Sequence, residues 1–130
     1  MAYGNNVGQA YLDFTNLELW RKARELKNNI FLLTKRFPFD ERFRLADQLI
    51  RASRSICASI AEGHGRYTFK DQIHFCIISR GSLSEVKNHI IDARDCEYIL
   101  ENEFIQFQDN IAEILRLLNG YIKYLRSKID

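Results

Sequence analysis

An all-α, antiparallel up-down-up-down four-helix bundle is the fold this sequence predicts, and three observations predict it. Proline occurs once, at Pro38, and glycine only six times in 130 residues, which leaves few of the punctuation points that a many-stranded fold needs. Four stretches carry apolar residues at three- and four-residue steps, the spacing of one helix face. The breaks between them are short, which joins neighbouring helices in opposite directions. No stretch alternates with the two-residue period of a strand, and no internal repeat or low-complexity tract interrupts the pattern.

Residues 1–13 read as a flexible tail and residues 14–130 as a single domain. Thr15 and Glu18 have the spacing of a capping box, in which each side chain satisfies the other's free backbone amide. The first helix is expected at about 16–36, with Leu19, Trp20, Ala23, Leu26, Ile30, Leu33 and Phe37 on its inner face. Phe37-Pro38-Phe39 ends it, because the residue before a proline avoids helical angles. The second helix, about 41–62, takes Asp40 as its N-cap and buries Leu45, Ala46, Leu49, Ile56 and Ile60. Its small residues, among them Ala52, Ser53, Ser59 and Ala61, let a neighbouring helix come close.

The third helix follows Thr68, which stands three residues before Asp71 in a second capping-box spacing. Its expected inner stripe is Phe69, Ile73, Cys76, Arg80, Leu83, Lys87, Ile90 and Arg94. The fourth helix is expected at about 102–127, with Phe104, Phe107, Ile111, Ile114, Leu118, Ile122 and Leu125 inside. That seam is close to a heptad, which suits near-parallel helix packing.

Composition bounds the function classes. Hydrophobic residues make up 46% and charged residues 28%, a globular balance. The formal net charge is only +2, so any attraction to a polyanion rests on how charge is distributed. Cys57, Cys76 and Cys96 are odd in number, form no CxxC and fall within apolar patterns; free, buried thiols in a reducing compartment are expected. No apolar run approaches the roughly 20 residues that span a bilayer. The start of the chain lacks a basic, then apolar, leader. A cytoplasmic protein without a membrane partner is the expectation.

Residues 58–67, ASIAEGHGRY, place an acid, a histidine and an arginine around two glycines. A phosphate-binding P-loop would need a preceding strand and a GK[ST] ending, and a helix N-terminus rather than the C-terminus met here. Gly63 instead reads as a left-handed helix C-cap, and Gly63 and Gly65 together supply the turn. Arg80, on the expected inner side of the third helix, needs a partner, because an unpaired buried charge is very costly. Glu62 and Glu85 are the candidates, with Glu62 meeting Arg80 or Arg66 in an internal ion-pair network. His74 and His89 fit no metal-binding spacing, and no Glu-x-x-His pair of a di-iron bundle occurs. Neither a metal nor another cofactor is expected, and no serine or cysteine stands paired with a base.

Charge distribution says more. Residues 42–70 hold six cationic side chains against two acids, and residues 17–36 six against two, while residues 97–130 are slightly acidic. One half of the bundle is therefore expected to present a basic face to phosphates. Arg42, Arg44, Arg51, Arg54 and Arg66 are the leading candidates, with Arg21, Lys22 and Arg24 next. Sixteen aromatic residues are many for so small a bundle, and Phe31, Phe43, Phe75 and Tyr124 fall off the inner stripes. Apolar groups on a second face predict self-association into a homo-oligomer.

Four motifs together resemble the 23S ribosomal RNA intervening-sequence protein family. They are F-x-x-L-x-x-W-x-x-A at Phe14, Leu17, Trp20 and Ala23; Q-L-x-R-A with S-I at Gln48 to Ile56; I-A-E-G-x-G-R at Ile60 to Arg66; and R-G-S-L-x-E at Arg80 to Glu85. The likeness covers about 14–127. Two positions depart from the family pattern: Ser59 stands where an asparagine is usual, and Ile50 where a basic residue often precedes Arg51. The resemblance implies a four-helix bundle, a pentameric assembly and no established enzymatic activity. The accessory protein of diversity-generating retroelements is similar in fold, and its likeness implies binding of nucleic acid and of a reverse transcriptase.

The function expected is therefore that of a non-catalytic, oligomeric accessory protein that contacts RNA or DNA through phosphates, with little reading of bases. The competing expectation is a protein-interaction scaffold, docking a partner such as a polymerase without touching nucleic acid.

Overall fold

The computed structural model describes residues 13–129, so the tail expected at residues 1–13 lies, except for Asp13, outside the described residues. Four helices pack against one another: α1 (Glu18–Thr34), α2 (Leu45–His64), α3 (Phe69–Asp95) and α4 (Glu101–Arg126). Short 3-10 turns precede the first two, at Phe14–Asn16 and Phe39–Glu41, and no strand occurs among the described residues. No described helix is long and apolar enough to cross a membrane.

The core follows from periodicity. Leu26 and Ile30 of α1, Leu49, Ile56 and Ile60 of α2, Leu83, Val86 and Ile90 of α3, and Ile114, Leu118 and Leu125 of α4 are all buried in one cluster. In α4 the buried positions Phe107, Ile111, Ile114, Leu118, Ile122 and Leu125 recur at the expected steps.

The helix ends differ from expectation in three places. No capping box joins Thr15 to Glu18: the Asp13 carboxylate accepts the Thr15 N–H at 3.0 Å and starts a 3-10 turn instead. An acid two residues upstream competes for the same amide, as Asp does in Asx turns. The Arg21 guanidinium then donates to the Thr15 carbonyl at 2.9 Å, and the Phe14 and Trp20 rings pack edge to face at 5.1 Å. Asp40 is not the cap of α2; it lies inside the 3-10 turn after Pro38, and the helix begins only at Leu45. Glu41 does the linking, accepting the Leu45 N–H at 3.4 Å with one carboxylate oxygen and the Tyr98 hydroxyl at 2.6 Å with the other. Thr68 does cap α3, its hydroxyl accepting the Asp71 N–H at 3.1 Å.

The third correction is Gly63, which has no left-handed conformation; it sits buried in the last turn of α2, and Gly65 is the C-cap at φ −81. A Cβ on Gly63 would lie 2.8 Å from the Phe75 Cβ and 3.2 Å from the Gln72 carbonyl oxygen. The glycine is needed for the close approach of α2 and α3, not for a backbone angle.

The same closeness decides which side of α3 faces inward. Ser79, Ser82, Val86, His89 and Ala93 are buried there, where the expected stripe had Arg80, Lys87 and Arg94. The two serines can be buried because their hydroxyls are bonded: Ser79 donates to the Ile56 carbonyl at 3.0 Å, and Ser82 pairs with Ser55 at 2.9 Å. A cation at these positions would be stranded. The thiols also divide: Cys57 and Cys76 are buried and free, whereas Cys96, expected inside, is exposed. Burial raises both inner thiols, Cys76 to about 11, which makes them poor nucleophiles.

Helix α3 ends in a Schellman motif. The Tyr98 N–H bonds the Ala93 carbonyl and the Glu97 N–H the Arg94 carbonyl, both at 2.9 Å. Glu97 holds the left-handed position with φ 61, the one positive φ among the described residues. An exposed side chain there is strained. Glu97→Gly should therefore stabilise the protein by about 1 kcal/mol. The measurement is the urea midpoint at unchanged slope; an unmoved or lowered midpoint contradicts the strain argument.

Candidate nucleic-acid interface

The structure separates the predicted basic residues onto different sides. Arg54 of α2 lines a narrow cleft with Lys27, Asn28 and Phe31 of α1. Next to it, an open cleft of about 280 Å³ is lined by Phe31, Lys35, Phe37, Phe39, Arg42 and Ile50, among others. The two clefts share Phe31 and Ile50, so Lys27, Arg54, Lys35 and Arg42 follow one another along the α1–α2 side. Arg44 is exposed at the start of α2 in the same corner.

The other candidates lie elsewhere. Arg51 is exposed but turned towards α3, 3.9 Å from Asp47 and beside a groove that also holds Glu85. Lys22 lines a cleft with Glu25 and Glu113 between α1 and α4. Arg21 is tied to the 3-10 turn through Thr15 and Asn16, and Arg24 stands 5.8 Å from the centre of the Trp20 ring. Arg66 is at the opposite end of α2, bonded to Glu62 at 2.7 Å and lying 4.7 Å from the Phe75 ring.

The internal network expected around Arg80 is replaced by surface contacts. Arg80 donates to Asn119 of α4 at 2.9 Å, and among the described residues no ion pair joins it to Glu62 or Glu85. Glu62 pairs with Arg66 one turn on, with both side chains about half exposed. The reason is the register of α3: with Ser79 inward, Arg80 is carried around to the α4 side. His64 keeps a buried Nδ1 without a hydrogen bond among the described residues, and Glu62 is turned away to Arg66.

Aromatic side chains interleave with the cations of the α1–α2 corner. The Arg42 guanidinium lies 5.9 Å from the centre of the Phe39 ring and 5.2 Å from that of Phe43. The Lys35 ammonium stands 4.6 Å from the Phe31 ring centre. Phe39 and Phe43 are 79% and 81% exposed. The spacing signals were present as Phe31 with Lys35 at i,i+4 and the run Phe39 to Phe43. Phe31 and Phe43 were legible as apolar residues off the stripe and Phe39 as part of the helix break, none of them as a partner of a particular cation.

A salt link closes the neighbouring α1–α4 side. Arg36 grips Glu103 through two hydrogen bonds, at 2.6 and 2.9 Å, and Glu103 also accepts the Leu100 N–H at 2.9 Å. The guanidinium and the amide pull the Glu103 carboxyl from 4.5 down to about 2. A folded-state pKa below the unfolded value adds stability that is fully present above the unfolded value and lost as pH falls through the folded one. The window is therefore pH 4.5 down to about 2. Glu103→Gln should cost about 1 kcal/mol at neutral pH, the scale of a well-formed surface pair, and should flatten Tm across that window. Parallel Tm curves for the variant and the wild type would contradict the clamp.

Fold and surface thus define a small helical bundle with an apolar interior and a groove of outward cations and phenylalanines. The chain belongs to the 23S rRNA-intervening sequence protein family, whose model matches residues 15–120. A crystal structure of a protein of unknown function from the S23 ribosomal protein family of Bacteroides thetaiotaomicron VPI-5482 is similar in fold. Its TM-score is 0.75 at 24% identity, covering 81% of this chain and 95% of that one. No curated protein matches the chain.

Proposed function

We propose that this protein is a non-catalytic, oligomeric accessory protein that binds nucleic acid, RNA foremost, through phosphate contacts along the α1–α2 groove. The observation that carries the reading is the alignment of Lys27, Arg54, Lys35 and Arg42 along two adjoining clefts, with no ion pair to any of them among the described residues. Cations aligned and uncommitted in this way favour a polyanion, since counterion release supplies sequence-independent affinity. The family's association with an intervening sequence of 23S rRNA supports RNA as the partner. Three free cysteines favour a reducing, cytoplasmic setting.

The up-down-up-down, antiparallel course is supported by the contact of Arg36, just after α1, with Glu103, at the start of α4. Self-association is supported by a different face. Ile77 and Ile78 of α3 and Leu115 and Tyr124 of α4 are exposed, and Gly81 and Gly120 face open space although each lies inside a helix. A helical glycine costs about 1 kcal/mol against alanine, so two that meet nothing within the chain favour a close neighbour outside it.

The test is affinity for structured RNA and duplex DNA across a salt series. Binding should weaken steeply with salt, and Arg42→Glu with Arg54→Glu should reduce the slope by about 2, near one counterion per lost phosphate contact. Arg51→Glu should change it less, because Asp47 already stands beside that side chain. Absence of binding at low salt would overturn the reading and direct attention to a protein partner.

A further inference from the structure

Within that proposed function, we infer that the corner formed by Phe31, Lys35, Phe39, Arg42, Phe43 and Arg44 receives unpaired bases of a single strand, stacked on the phenylalanine rings. The inference rests on the nucleic-acid reading and adds which form of nucleic acid the groove takes.

Phosphate contacts alone would not call for the rings. Phe39 and Phe43 stand almost fully in water, and leaving a phenylalanine outside forfeits the stabilisation that burial would bring. Single exposed apolar residues are ordinary, but here three exposed phenylalanines lie within one thirteen-residue stretch, and each of the three has a cation over its ring. Aromatic faces alternating with cations are what single-strand binding surfaces use: the rings stack on base faces and the cations follow the backbone. A duplex hides its base faces within its own stack and offers a protein only backbone and groove edges. Exposed rings at this corner therefore gain nothing from a duplex.

Charge disfavours the like corner of a second copy as the occupant. Glu41 is held by Tyr98 and Leu45, and Arg36 by Glu103. That leaves Lys35, Arg42 and Arg44 against Asp40 alone. Two such corners facing each other would set cations against cations, and covering Arg42 with an apolar surface would strand its charge. A phosphodiester strand supplies both what the rings lack and what Arg42 needs, an aromatic face and an anion.

The experiment compares a labelled oligouridine with the matched uridine–adenine RNA duplex, by fluorescence anisotropy on the full chain. Phe39→Ala with Phe43→Ala should weaken oligouridine binding at least about tenfold while leaving its salt slope and the duplex affinity unchanged. The pair Phe39→Tyr with Phe43→Tyr, which keeps the ring faces, should bind as the wild type does. Both pairs lie at exposed positions, so an unchanged Tm confirms that folding is not at issue. If the wild type binds both nucleic acids and the alanine pair binds both equally well, the stacking inference is overturned and the phosphate reading stands. If the wild type binds neither at low salt, both fall. If the alanine pair changes the oligomeric state rather than affinity, the corner is a contact between copies and the inference is overturned.

Discussion

Gly63→Val should lower the free energy of unfolding by about 3 kcal/mol, and Gly63→Ala by about 1 to 2 kcal/mol, the scale of overpacking a tight core. The opposing term is known: alanine is favoured over glycine inside a helix by about 1 kcal/mol. Sterics win here because of what the new methyl meets. The Phe75 Cβ at 2.8 Å is fixed to the α3 backbone, and the Gln72 oxygen at 3.2 Å is itself backbone. Neither is the free end of a flexible side chain, so α2 and α3 must separate where the chain turns between them. Separation also loosens the Ser79–Ile56 and Ser55–Ser82 hydrogen bonds along the same seam. Urea unfolding of the two variants measures this. A Gly63→Ala protein more stable than the wild type would show that the helices yield at little cost, and the close approach would not be what the glycine serves.

Leu118→Ala should cost about 2 to 5 kcal/mol, whereas Leu115→Ala, three residues away, should cost less than about 1 kcal/mol. Leu118 is 0% exposed at the centre of the core cluster, and Leu115 is 38% exposed. Removing three carbons from the first leaves a cavity that the surrounding Ile and Leu side chains fill only in part. Removing them from the second mainly trims a surface. The pair also reports on assembly. If Leu115→Ala costs as much as Leu118→Ala at high protein concentration and less on dilution, a second copy covers that face. Equal costs at every concentration would contradict the inward register of α4.

The helices themselves were legible because their signal is local. Ile111, Ile114, Leu118, Ile122 and Leu125 repeat with the helix period, and all are buried. Thr68 caps α3 as its spacing suggests. The failures lie where a second group competes for the same role. Asp13 takes the Thr15 amide before a capping box can form, and the turn after Pro38 moves the start of α2 past Asp40 to Leu45. Neither outcome is contained in the spacing of two residues.

The candidate interface was legible in its sign and only in part in its membership, with Arg42 and Arg54 in the groove and Arg51 and Arg66 outside it. Counting cations along the chain marks α1 and α2 as basic, but Arg51 and Arg54 are three residues apart and line different clefts. Lys27 and Lys35 join Arg54 and Arg42 only because α1 lies beside α2.

By itself, the sequence determined that this protein is helical, that four helices form, and which residues of α1, α2 and α4 are inside, because helix formation and amphipathicity depend on neighbours three and four residues away. Only the tertiary structure decided the inner face of α3, the role of Gly63 and the grouping of the cations. A serine, a glycine or an alanine carries too little apolar surface to mark a core position. It becomes one when another helix comes close enough to bond its hydroxyl or occupy the space where a side chain would be.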